Sequence, residues 1–293
     1  MEYKQKLYRE TRQSSHLSSI KNSEFRNTLR FFILALITAS IVLNSTVIFS
    51  NAKDKHATVL WTLNISAAVA TTLGIIAIYR HGLHGLHGKS FLFLTLGLAS
   101  WFMADFSIMY YYYFEEIEVS NEFSIADILW LTGYLFLILH LVSVIISIHT
   151  KIIPKTLVII ALFIISYIFY TIISIGISVE PNGMSAADNP NQLEIVTAIS
   201  YPILDLCLII PSLLILANLY HNYENSIPWI LSSLSLLFNA IADNGYVHEF
   251  VKGRHTSWFW DLFYITDFII MAGALFWYNK FYISNALRKD IKD

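Results

Sequence analysis

Long apolar runs alternate with short polar joints along this chain. Eight runs are long enough to cross a bilayer, at roughly 31–50, 58–80, 90–112, 124–148, 156–176, 195–220, 226–248 and 258–280. A hydrocarbon core of about 30 Å takes about 20 apolar residues of helix. The runs are continuously apolar and lack the strict alternation of a barrel strand. A helix also satisfies its own backbone hydrogen bonds where lipid offers none. The predicted fold is therefore all-α and polytopic, with eight transmembrane helices.

The polar joints set an orientation. With the N-terminus inside, fifteen of the 19 lysines and arginines fall on inner segments and four on outer loops. The bias of basic residues toward the cytoplasm then places both termini inside, in a cell membrane. Seven of the fifteen, Lys4, Lys6, Arg9, Arg12, Lys21, Arg26 and Arg30, lie in the polar segment 1–30. That segment does not match a cleavable signal peptide. It reads as a disordered or surface-lying arm within reach of anionic lipid.

The runs also repeat. Ala104-Asp105 near the end of the third run matches Ala242-Asp243 near the end of the seventh. Asp127, Trp130 and Tyr134 match Asp261, Tyr264 and Phe268, each trio on one helical face by its i, i+3, i+7 spacing. Trp61 to His81 aligns with Tyr201 to His221 at an offset of 140. Four spans per half is an even number, so the expectation is two parallel four-helix repeats related by an axis along the membrane normal. The expected segments are a polar, basic tail at 1–30, a first repeat at 31–149, a second at 150–283 and a short tail at 284–293.

Composition narrows the function classes. Hydrophobic residues make up 56% and charged residues 14%, against about 25% charged in soluble domains. Cys207 is the single cysteine, so no disulfide scaffold is available. A net charge of -2 gives no basic field for nucleic acid. The expected partners are the lipid bilayer and a cytoplasmic signalling protein, with association of like chains left open.

Six aspartates fall inside the runs, and there they need explaining. A charge at the bilayer centre costs about 2.5–3.5 kcal/mol on insertion scales. Asp105, Asp205, Asp243 and Asp267 lie well inside their runs, while Asp127 and Asp261 lie near an outer mouth. No lysine or arginine lies deep in any run to pair them. The expectation is a ligand or cation site in which the four deeper aspartates converge on one outward-open, watered cavity between the halves. Trp130, Tyr134, Tyr201 and Tyr246 are its candidate donors. Asp127 and Asp261 admit a second reading, as helix N-terminal groups that cap free amides and meet the helix dipole. Loop acids Asp54, Glu115, Glu116, Glu118, Glu122, Glu180, Asp188, Glu194 and Glu249 add negative charge outside, which attracts cations. Pro202 and Pro211 flank Asp205 and predict a broken helix there.

Histidines supply a smaller set of candidates. His248, Glu249 and His255 form a mixed nitrogen and oxygen set at the outer mouth that a divalent metal could use. His81, His84 and His87 share a glycine-rich inner joint that reads as a solvated turn, and His140 reads as a hydrogen-bonded core residue. No metalloprotease, phosphate-loop, nucleophile-elbow or dinucleotide motif is present. The chain is accordingly expected not to be an enzyme and to carry no cofactor.

Two segments resemble a known family. Ala126-Asp127-Ile128-Leu129-Trp130-Leu131-Thr132-Gly133-Tyr134 is similar to a recurring A-D-x-x-Y/W-L-x-G-Y segment, and Tyr201-Pro202-Ile203-Leu204-Asp205 to a Y-P-L-x-D segment. Both resemble the multi-span N-terminal sensory modules of bacterial diguanylate cyclases and histidine kinases, over spans two to eight. The resemblance implies a sensor-like membrane module. Those proteins continue into a cytoplasmic output domain, whereas about 13 residues follow the eighth run here. The expectation is signalling through a separate partner. The alternative is a small secondary transporter for protons, metal cations or cationic solutes.

Overall fold

The structure is a computed structural model that describes residues 2–83, 85–115, 124–148, 155–178, 192–219, 223–251 and 258–282. Each apolar run lies in a helix: α1 (Glu2–Ile48), α2 (Lys55–His81), α3 (Gly85–Tyr110), α4 (Ile125–Ile148), α5 (Lys155–Ser178), α6 (Gln192–Leu219), α7 (Tyr223–Val251) and α8 (Trp258–Trp277). Short π-helical turns, Tyr111–Glu115 and Tyr278–Tyr282, extend α3 and α8. No strand occurs among the described residues. The chain is thus an all-helical, multi-pass membrane protein. Seven helices are long and apolar enough to span a bilayer among the described residues, and in α5 the apolar stretch Ala161–Ile173 is shorter.

Residues 1–42 and 43–293 form two compact units. The first is the greater part of α1, whose apolar Phe31, Leu34, Ile37 and Ile41 are exposed. Helix starts at Glu2, so the polar segment is continuous with the apolar one rather than a separate arm.

In the second unit, α2, α3, α4, α6, α7 and α8 close a ring in that order, with α8 returning to α2. α5 packs outside it, on α6 and α7. Two junctions of the ring are parallel. Lys55 at the start of α2 stands over the ring of Trp258 at the start of α8, 4.1 Å from its centroid. Near the other ends Arg80 donates to the carbonyl of Asn279, whose Nδ2 donates to the Leu73 carbonyl at 3.0 Å. Likewise Tyr201 and Asp127 meet near the starts of α6 and α4. The level at which α2, α4, α6 and α8 begin is here the upper end.

Heptad-like spacing supplies the buried seam between α3 and α4. Leu94, Leu98, Trp101 and Asp105 share one face of α3; Tyr134, Leu137, Leu141 and Val144 share one face of α4. Gly97 and Gly133 let the two backbones approach, each glycine's missing Cβ falling 3.2 Å from the other's carbonyl oxygen. α2 ends at Gly82, whose φ of 75° is open to glycine and whose N–H closes on the Ile78 carbonyl at 2.8 Å. α4 begins with a capping box: the Ser124 N–H and Oγ donate to Asp127 Oδ2 at 2.8 and 3.0 Å. α6 runs unbroken through Pro202 and Pro211. The break expected there does not occur, because in a bundle neighbouring helices and local adjustment compensate the donor a proline removes.

The ring's interior has two characters. At its lower end Phe91 stacks on Tyr278 with centroids 3.8 Å apart, and Trp229 meets both. His140 lies just above, its Nδ1 2.9 Å from Ser90 Oγ and 3.0 Å from the Ser90 carbonyl. That makes it the hydrogen-bonded core histidine its lone mid-span position predicts. The upper half of the interior is polar.

A candidate ligand site: the aspartate layer

Each of the six aspartates within spans meets neutral donors brought by another helix or by its own first turn. Asp205 on α6 is fully buried, at 0% exposure. Its Oδ1 lies 2.9 Å from the Tyr134 hydroxyl of α4, and its Oδ2 accepts from Asn244 of α7 at 2.9 Å. Asp243 on α7 takes the same Tyr134 hydroxyl, the Tyr264 hydroxyl of α8, and Asn239 one turn earlier on α7 at 2.9 Å. One buried phenol thus joins carboxyls from two helices.

The other carboxyls sit around this pair with partners of their own. Asp105 accepts from Trp130 Nε1 at 3.1 Å, and its carbonyl accepts from Asn64 of α2 at 3.3 Å. Asp267, at 1% exposure, takes the Ser235 hydroxyl. Asp261 takes the Tyr246 hydroxyl. Asp127 takes the Tyr201 hydroxyl at 3.1 Å on the oxygen left free by its capping box. The capping reading of Asp127 therefore holds; Asp261 lies in the first turn of α8 and takes a tyrosine from α7, and residues 252–257 before it lie outside the described residues.

Asp105 is 6% exposed, and Asp205 and Asp267 less still, whereas Asp127, Asp243 and Asp261 are half-buried. Side-chain hydroxyl, amide and indole groups donate to them. A hydrogen bond to a charged group contributes about 1.5–3 kcal/mol, which offsets part of the cost of burying a carboxyl. Convergence is partial: Asp205 and Asp243 meet at Tyr134, whereas Asp105 and Asp267 keep separate donors.

Five contributors were missing from the sequence-based set: Tyr264, Asn239, Asn244, Asn64 and Ser235. Two carried a readable signal. Asn239 lies four residues before Asp243, on its helical face. Tyr264 lies three residues after Asp261 and takes the repeat position of Trp130. Asn244, Asn64 and Ser235 carried none, since each acts on an aspartate of another helix or on its main chain.

Of the proposed metal set, His255 lies outside the described residues, as does the side chain of His248; Glu249 is half-buried. Among the described residues no group of three metal-binding side chains forms. His84, Glu116, Glu118, Glu122, Glu180, Asp188, the side chains of His87 and Glu194, and the segment 284–293 also lie outside them. The chain matches no family model, no curated protein and no solved structure.

Proposed function

We propose that this chain is a sensor-like or ligand-binding membrane module, and that its ligand site is the aspartate layer centred on Tyr134. The observation that carries the reading is the junction itself: Tyr134 reaches from α4 to carboxyls on both α6 and α7. The junction ties together the elements on either side of the 149/150 boundary, where a ligand could bias their relative arrangement.

The reading places the layer in two parallel four-helix repeats, 31–149 and 150–283. Repeat-related residues support it. Trp130 donates to Asp105, and at the equivalent places Tyr264 donates to Asp243. Phe91 and Trp229, 138 residues apart in sequence, have ring centroids 6.4 Å apart, as residues beside a two-fold axis would. Shifting each helix by one repeat maps the ring onto itself, α2 to α6, α3 to α7 and α4 to α8. Eight crossings complete it: α5, with 24 residues, would be about 36 Å long at 1.5 Å per residue, longer than the hydrocarbon core. The lysine and arginine bias puts both termini in the cytoplasm of a cell and the upper end outside. The resemblance to sensory modules points to a cytoplasmic signalling protein as the partner.

The second reading, a small secondary transporter of protons or cations, draws on Pro202 and Pro211 beside the buried Asp205. One experiment separates them. The purified full chain is placed in lipid nanodiscs and in sealed liposomes, and challenged with pH steps, with inorganic monovalent and divalent cations and with tetraalkylammonium ions. The sensor-like reading expects a ligand-dependent thermal shift, lost in Asp205→Asn, without flux into the liposomes. Flux abolished by Asp205→Asn would establish the transporter instead, and neither response would remove the layer as a ligand site.

A further inference from the structure

We propose that the ligand held by this layer is the proton, with one proton shared between Asp205 and Asp243 beneath Tyr134. The proposal rests on the reading of the layer as a ligand site and names what it takes.

Hydrogen counting carries the argument. A phenol has one hydrogen and donates once. Yet the Tyr134 oxygen is within bonding distance of Asp205 Oδ1 at 2.9 Å and also of Asp243 Oδ2. With both ionised, one of these two oxygen–oxygen contacts would hold no hydrogen. The remaining donors are already committed. Tyr264 serves Asp243 Oδ1, Asn244 serves Asp205 Oδ2, and Asn239 serves Asp243 Oδ2. A proton taken from the upper aqueous side forms one O–H bond on either carboxyl, supplies a missing hydrogen, and removes one of two like charges.

A second observation, outside this pair, points the same way. Asp267 is 1% exposed and its Oδ2 has no partner among the described residues. It lies within electrostatic reach of Asp243 and Asp105. Protonation at Asp267 Oδ2 removes a buried charge that lacks a second donor.

Among the described residues, the charged and titratable groups around the pair offer no counter-cation. Asp127 and Tyr134 come from α4, Asp105 from α3, Tyr264, Asp261 and Asp267 from α8, and Tyr201 and Tyr246 from α6 and α7 themselves. α5, packed outside, presents Tyr167 and Tyr170 on exposed positions. Lys55 stands at the upper rim over Trp258.

Infrared spectroscopy of the full chain in nanodiscs reads the proton directly, as the carbonyl stretch of a protonated carboxylic acid that shifts in D2O. At neutral pH such a band is expected, lost to the same extent in Asp205→Asn and in Asp243→Asn, because either change dissolves the pair. It should shift, not vanish, in Tyr134→Phe, and persist in the exposed Asp54→Asn. Asp267 should give a separate band removed by Asp267→Asn alone. No protonated-carboxyl band at neutral pH, or one that survives both pair substitutions, would overturn the proposal. A band that disappears on adding sodium chloride at fixed pH and ionic strength would overturn it in favour of a metal cation. If the carboxamide variants do not fold, the Tyr134→Phe shift decides alone. An absent band leaves ligand binding and its thermal shift standing; a band without any ligand, flux or signalling response removes the functional reading and leaves the proton.

Discussion

The Tyr134 hydroxyl lies 2.9 Å from Asp205 Oδ1 and is also hydrogen-bonded to Asp243 Oδ2, so one α4 side chain fastens two aspartates that are 38 residues apart on α6 and α7. Tyr134 is itself among the largest fully buried side chains of the chain. Its apolar ring belongs to the α3–α4 seam, edge-on to Trp101 at 5.4 Å, and its polar tip to the aspartate layer.

Removing that tip should be costly. Tyr134→Phe keeps the ring packing and withdraws the donor from buried carboxyls, a loss of about 2 kcal/mol or more. Denaturant titration in detergent measures it. In a double-mutant cycle with Asp205→Asn the two changes should couple by about 1 kcal/mol or more, since they act on one hydrogen bond. Strict additivity would mean that the contact contributes nothing.

The glycine contact between α3 and α4 makes a packing prediction. A Cβ on Gly133 would collide with Cδ1 of Trp101, and Trp101 is pinned by its Nε1 donating to the Trp130 carbonyl at 3.1 Å. Gly133→Ala should therefore destabilise by about 1–3 kcal/mol, as overpacked cores do. An unchanged melting temperature would show that the tryptophan moves freely aside.

Asp127 and Asp205 should separate structure from function. Asp127 closes the capping box of α4, so Ser124→Ala should lower stability by about 1 kcal/mol and leave the ligand-dependent thermal shift intact. Asp205→Asn should abolish that shift while the protein still inserts and folds. If both variants lose ligand response in proportion to stability, the aspartates are structural hubs.

Orientation is open to chemical labelling. Single cysteines at Leu83 and Glu115, in a Cys207→Ser background, should react with an impermeant thiol reagent from opposite sides, Glu115 from outside. Reaction of both from the same side of intact cells would refute the arrangement derived from the basic residues.

The sequence alone determined the helices, because they depend on local periodicity and on the length of apolar runs. Each run falls on a helix, and Asp127 fell to helix capping as its spacing from Ser124 allows. Local periodicity also put Asp105, Asp127 and Tyr134 on the right faces. It could not say which neighbour would face them. The partners of Tyr134 lie 71 and 109 residues away, on helices that meet α4 only because the ring closes as it does. Closure also decided the environment. An apolar medium penalises any unsatisfied polar group, and the ring meets that demand by setting tyrosine, tryptophan, asparagine and serine donors against the carboxyls. Whether an aspartate in a membrane stands in water or against a phenol depends on the helix opposite, and that choice belongs to the tertiary structure.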